Sequence, residues 1–208
     1  MQEHNLAEFR VLPVVTAHDV NATVALSRAL LAGGMRAIEI TLRTDAALDA
    51  IAAVRAEVPE MLVAAGTVTN PRDLEQVIEA GVTLALSPGG SDQLLAAAAQ
   101  APLQFIPGVA SASDVMRAMD YGMRLCKLFP ATVLGGEAML KALAGPFPNM
   151  KFCPTGGLGP ENFRDFLALP NVVCCGGSWM VSAELVDNAS WQDIEQLALD
   201  AISVYPLN

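Results

Sequence analysis

The stretch Met35-Arg36-Ala37-Ile38-Glu39-Ile40-Thr41-Leu42-Arg43-Thr44-Asp45 decides how this chain is read. Residues 37–41 form a short, largely apolar run whose side chains alternate: Ala37, Glu39 and Thr41 fall on one face, the two isoleucines on the other. That period of two belongs to a β-strand. Isoleucines suit the face packed against helices, so Glu39 is expected to look inward, into the space enclosed by the sheet.

Working outward, similar runs begin near Val11, Leu62, Val82, Gln104, Leu125, Lys151 and Val172, with starts 20 to 26 residues apart. Such an interval holds one strand, one crossover helix and two short loops. Eight units without a linker or low-complexity segment predict one α/β domain over residues 1–208, a closed (β/α)8 TIM barrel, with an open doubly wound sheet as the alternative. Asn70 before Pro71 reads as a helix N-cap followed by proline at the first helical position, and Ser111 with Asp114 as a capping box. Gly33 and Gly81 suit helix stops. Pro13, inside Val11-Leu12-Pro13-Val14-Val15, removes a ladder donor and predicts irregular pairing or a bulge. Leu6 and Phe9 lie at near-helical spacing, which predicts a short N-terminal helix covering the barrel's lower mouth.

Composition narrows the function. Of 208 residues, 53% are hydrophobic and only 16% charged, which excludes a disordered or collagen-like chain. The net charge of −10 would repel nucleic acid and anionic membranes, so neither is an expected partner. No apolar run approaches a membrane span and the first residues lack a basic, then apolar, leader pattern, so a cytoplasmic location is expected. Cys126, Cys153, Cys174 and Cys175 form no CxxC pair and sit in apolar runs, where a thiol behaves as a small buried hydrophobe. His4 and His18 lack partners at metal-ligand spacing, so neither a metal nor another cofactor is expected.

In a barrel of this kind the chemistry lies at the carboxyl ends of the strands. Lys127, in Leu125-Cys126-Lys127-Leu128-Phe129, is one of only three lysines. Alternation sets it on the face opposite Cys126 and Leu128. A buried ammonium lowers its desolvation cost by shedding its proton, which yields an amine able to attack a carbonyl. Glu39 and Lys127 are each third in the second and sixth runs, and alternate strands feed the same interior layer, so the two could meet as proton shuttle and nucleophile, or as a plain buried ion pair. Arg43, just past the end of the second run, could hold a carboxylate by its planar fork, or be a surface arginine. Thr67, Ser87 and Pro88 fall at further strand ends. Thr155-Gly156-Gly157 and Gly176-Gly177-Ser178 follow the last two runs, where backbone amides commonly cradle a phosphate in such barrels; glycine turns without a ligand are the alternative.

Six motifs then carry a resemblance: EITLRT at 39–44, AGTV at 65–68, SPG at 87–89, KLFPA at 127–131, FCPTGG at 152–157 and GGSW at 176–179. Together they resemble the family of 2-keto-3-deoxy-6-phosphogluconate (KDPG) and 4-hydroxy-2-oxoglutarate (KHG) aldolases along nearly the whole chain. The resemblance implies a metal-independent class I aldolase of the Entner-Doudoroff pathway that splits 2-dehydro-3-deoxy-6-phosphogluconate into pyruvate and D-glyceraldehyde 3-phosphate, working as a homotrimer. It implies Lys127 as the Schiff-base lysine and Glu39 as the proton shuttle. Arg43 and Thr67 would hold the pyruvyl carboxylate, Pro88, Phe129 and Thr155 would line the pocket, and Gly156, Gly157, Gly177 and Ser178 would bind the phosphate of the 2-oxo acid substrate. Two positions depart from the family pattern: Leu128 replaces a frequent phenylalanine, and Thr132 stands where the family often has glutamate. Rival substrates are 4-hydroxy-2-oxoglutarate and the phosphogalactonate epimer; a rival of another class is a barrel that binds or isomerises a sugar phosphate without imine chemistry.

Overall fold

The computed structural model describes residues 4–203. Parallel strands alternate with helices along the chain: β1 (Val11–Val15), α1 (Val20–Ala32), β2 (Ala37–Thr41), α2 (Ala47–Glu57), β3 (Leu62–Gly66), α3 (Pro71–Glu79), β4 (Leu84–Leu86), α4 (Asp92–Gln100), β5 (Gln104–Ile106), β6 (Gly108–Val109), α5 (Ala112–Asp120), β7 (Leu125–Leu128), α6 (Gly136–Ala144), β8 (Lys151–Phe152), α7 (Phe163–Leu167), β9 (Cys175–Gly177), α8 (Ala183–Asp187) and α9 (Trp191–Ile202). This is an α/β single-domain fold on a curled parallel sheet.

The sheet departs from an unbroken eight-strand ring. Six strands pair in the order β5-β4-β3-β2-β1-β9 and three in the order β6-β7-β8. The fifth apolar run is cut at Pro107, which has no N–H to give a ladder; its carbonyl still accepts from Lys127 N at 2.8 Å, and the chain passes from one sheet to the other at that residue. Between β8 and β9, among the described residues, the isolated bridges Phe152↔Val172 and Thr155↔Gly176 alone connect the sheets. Pro13 has a comparable effect: β1 pairs with β9 through Val11, Leu12 and Pro13, and with β2 only through Val14 and Val15. The irregular pairing expected there is present.

Alternation along the strands creates two apolar layers. Val11, Ile38, Ile40, Val63, Cys126 and Leu128 join the larger cluster, which packs against the helices. Leu12, Ala37, Ala64, Leu84, Leu86, Ile106, Cys153 and Cys174 form a smaller inner cluster. Both faces of β2 are buried, so a one-residue slip would drive the two isoleucines into the space held by Glu39 and Thr41 and turn Glu39 into the apolar helix layer.

The N-terminal helix expected over residues 1–9 is, among the described residues, a single 3-10 turn at Leu6–Glu8; residues 1–3 lie outside the description. Its Asn5 makes no side-chain cap, and three residues cannot sustain an α-helix. Leu6 nevertheless joins the inner cluster. The helix signals fare better. Asn70 accepts from Asp73 N at 3.0 Å, with Pro71 opening α3, and Ser111 Oγ accepts from Asp114 N at 3.2 Å. Gly33 ends α1, but the left-handed residue is its neighbour Gly34, at φ 91°. The four cysteines are free and buried, as expected. Burial pushes the Cys126 thiol up to about 12, and Cys174 is also raised, chiefly by its hydrogen bond with Cys153 and then by burial.

Candidate active site

Glu39 is the central residue of β2 and Lys127 the third of β7, and both turn into the curl of the sheet. Lys127 Nζ donates to Glu39 Oε1 at 2.8 Å. Glu39 is 0% exposed and Lys127 4%. Such a pair is poor evidence for stability, because desolvating both charges offsets most of their attraction. The second carboxylate oxygen, Glu39 Oε2, is buried without a hydrogen-bond partner. A buried acceptor left open in this way costs stability unless something else uses it, and a substrate hydroxyl or a water would suit it.

The pair needs room, and the backbone supplies it. Gly66, the last residue of β3, pairs with Thr41 of β2; a Cβ at Gly66 would run into the Glu39 carboxylate. Gly108 of β6 pairs with Lys127, and a Cβ there would strike the Pro88 carbonyl. Pro88 is therefore packed on the strand next to the lysine. Ser87 locks this contact: its hydroxyl accepts from Gly108 N at 3.2 Å and donates to Gly89 O at 2.6 Å. Phe129 places its ring centroid 5.6 Å from Lys127 Nζ, close enough for a cation–π contact while the amine is protonated.

Around this centre stand the residues of the strand ends. Arg43 Nε donates to Thr67 Oγ1 at 3.2 Å. Thr67 adopts φ 60°, a conformation that a β-branched residue rarely takes. Thr155 is buried and bridges to Gly176, whose missing side chain leaves space for the threonine hydroxyl. Gly156 and Gly157 have φ 100° and 78°, and a Cβ on Gly157 would collide with Thr132. Gly177 leaves room for the Trp179 ring, which packs on Phe163 at 5.1 Å between centroids. Ser178 is exposed and borders a cleft of about 520 Å3 together with Thr16, His18, Asp19 and Ser182.

The structure thus joins Glu39, Lys127 and Phe129 in one group, Arg43 with Thr67 in a second, and Thr155 with Gly176 in a third. Among the described residues no hydrogen bond ties Arg43, Thr67 or Ser178 to the Lys127–Glu39 pair. The sequence pattern does not single out Gly66 and Gly108, whose contributions are steric. AGTV, ending the third run on a small residue, was the only trace of Gly66. No three His, Cys, Asp or Glu side chains among the described residues converge as metal ligands.

Comparison with known proteins places the whole chain rather than its individual residues. A family model described as "Aldolase: KDPG and KHG aldolase" matches residues 2–197. The KHG/KDPG aldolase of Escherichia coli strain K12 is 47% identical over 192 residues, covering 92% of this chain and 90% of that protein. Among solved structures, KDPG aldolase from Legionella pneumophila, with pyruvate captured as a covalent carbinolamine intermediate, superposes with a TM-score of 0.92 at 41% identity, covering 94% of this chain and 95% of the other. The Zymomonas mobilis ZM4 enzyme with 3-phosphoglycerate gives a TM-score of 0.88 at 40% identity, covering 94% and 92%.

Proposed function

The chain belongs to the KDPG and KHG aldolase family, and on that premise we propose that it is a class I aldolase that cleaves 2-dehydro-3-deoxy-6-phosphogluconate to pyruvate and D-glyceraldehyde 3-phosphate through an imine on Lys127. The observation that carries the assignment is the buried 2.8 Å contact between Lys127 Nζ and Glu39 Oε1.

Its geometry divides the labour between the two carboxylate oxygens. Oε1 accepts from the amine that must lose a proton before its lone pair can attack C2 of the substrate. The attack forms the N–C2 bond and sends the carbonyl electrons to oxygen, which is protonated to give a carbinolamine; loss of water leaves a protonated imine. Oε2, without a partner in the fold, takes the proton of the C4 hydroxyl. As that O–H electron pair becomes the aldehyde C=O, the C3–C4 bond breaks and its electrons flow to the imine nitrogen, leaving an enamine of pyruvate. The same carboxyl returns its proton to C3, and one water hydrolyses the imine to release pyruvate and free lysine. Water, the substrate and one carboxyl balance every proton.

Arg43 and Thr67 hold the substrate carboxylate, with Pro88, Phe129 and Thr155 as walls. Gly156, Gly157, Gly177 and Ser178 receive the phosphate. The resemblance, the continuity of the chain through Pro107 and the isolated bridges Phe152↔Val172 and Thr155↔Gly176 support reading the two ladders as one eight-unit barrel over residues 1–208, with Leu6 closing its lower end; the resemblance supports reading the molecule as a cytoplasmic homotrimer. Among the described residues no helix is long and apolar enough to cross a membrane. The double name of the Escherichia coli relative favours a second substrate, 4-hydroxy-2-oxoglutarate, cleaved by the same imine without use of the glycine loops.

Borohydride reduction in the presence of pyruvate tests the reading. It should fix one pyruvyl group irreversibly on Lys127 and abolish activity; mapping the adduct to Lys141 or Lys151, or finding none, would overturn it.

A further inference from the structure

Two side chains outside the machinery described above hold the carbonyls of the Gly156-Gly157 loop. Thr132, in the loop that follows β7, approaches Gly156 O twice, its backbone N at 3.1 Å and its Oγ1 at 3.2 Å. Its side chain also fills the space that a Cβ on Gly157 would need. From the other flank, Asn162 Nδ2 donates to Gly157 O at 3.2 Å, while its Oδ1 accepts from Gly159 N at 3.0 Å. Both successive carbonyls of the loop are therefore tethered, one from each side.

In a trans peptide the C=O and the N–H point in opposite directions. Holding Gly156 O fixes the direction of Gly157 N–H, and holding Gly157 O fixes that of Leu158 N–H. The tether matters because the peptide between two glycines is the easiest in a chain to flip: with no Cβ on either side, both hands of the backbone are open to it. Untethered, these two donors would have to be oriented at the moment of binding.

We propose that Thr132 and Asn162 are positioning residues that clamp the Gly156 and Gly157 carbonyls and so pre-aim the Gly157 and Leu158 amides at the phosphate of the substrate. The proposal rests on the phosphate-site reading above and gives a purpose to Thr132, one of the two positions at which the sequence departs from the family pattern.

Steady-state kinetics of the full-length enzyme on phosphorylated 2-dehydro-3-deoxy-6-phosphogluconate and on unphosphorylated 4-hydroxy-2-oxoglutarate test it, with inorganic phosphate as a competitive probe. Asn162→Ala should raise KM for the phosphorylated substrate and the Ki of phosphate about tenfold, and Thr132→Val about threefold, since the Thr132 backbone N–H remains; kcat with either substrate should change little. Thr132→Ser, which keeps the hydroxyl, should restore the wild-type KM. The unphosphorylated substrate and pyruvate trapping on Lys127 report folding in every variant. Equal losses on both substrates, or no change on either in a wild type that prefers the phosphorylated one, would overturn the clamp alone. A wild type that neither prefers the phosphorylated substrate nor is inhibited by phosphate would overturn the phosphate site and the clamp with it.

Discussion

The interior of the sheet and the rim of glycine loops are built on opposite plans. Inside, Glu39 and Lys127 stand 88 positions apart in sequence yet meet at 2.8 Å, each fixed by a strand whose neighbouring residues are buried on both faces. At the rim, Arg43, Gly157 and Ser178 are exposed and sit in turns. On the proposed function, the difference follows from what each region would do. Proton transfer needs two groups held in place in a dry site, where electrostatic interaction is strong and costs no reorganisation. Capture of an anion from solution needs open, donor-rich backbone that a phosphate can reach.

If that division is correct, damage to the interior slows turnover and damage to the rim weakens binding. The largest contrast is expected for Glu39→Gln. The amide keeps the shape and can still accept from Lys127, but it cannot exchange protons, so kcat should fall by roughly 10^2 to 10^4 while KM changes far less. Single-turnover and steady-state rates on the phosphorylated substrate measure the split. An unchanged kcat would remove Glu39 from the mechanism and dissolve the distinction between the two regions.

A steric variant sharpens the same contrast without touching an ionisable group. Gly66 has no left-handed backbone to protect, so Gly66→Ala acts through its new methyl group alone, which must push the Glu39 carboxylate aside. A shift of about 1 Å at a proton-transfer site costs on the order of 10- to 100-fold in kcat. The pyruvate-trapping rate should fall in parallel, because imine formation on the proposed mechanism uses the same carboxylate. Normal trapping with slow cleavage would mean that the lysine deprotonates without Glu39.

These variants also mark where the sequence could and could not be read. Glu39 and Lys127 were legible because alternation in short strands is a local rule, and a charged residue in a buried run stands out against it. Gly66 was not, because its importance comes from the side chain on the adjacent strand, which is a property of the register. The fifth run looked continuous, although Pro107 divides it between two ladders; proline was visible, but which neighbour its missing N–H would have served was not. Leu6 and Phe9 suggested a helix by spacing, and the spacing is equally compatible with one 3-10 turn. The glycine loops were visible by composition, while the contact of Thr132 with Gly156 O depends on how two loops meet at the rim; that of Asn162 with Gly157 O is local to one loop.

The smallest expected effect tests how dry the buried layers are. Cys126 lies in the layer between sheet and helices, and burial raises its thiol from 9.0 to about 12. Between those values the native state keeps a proton that the unfolded chain has lost. Because stability follows the difference in bound protons, unfolded minus native, its slope with pH is negative there: the contribution is intact below pH 9 and declines as pH rises, by about 1.4 kcal/mol per pH unit for one thiol. Cys175 and Cys174 are raised in the same direction and steepen the decline. Urea unfolding at pH 8 and pH 10 should show a loss of stability that is smaller by about 1 kcal/mol in Cys126→Ala, even though that variant is less stable at both pH values through lost packing. Equal losses in the two proteins would mean that water or a cation reaches the Cys126 sulfur in the native state, and the boundary between a sealed interior and an open rim would then have to be drawn further inside the sheet.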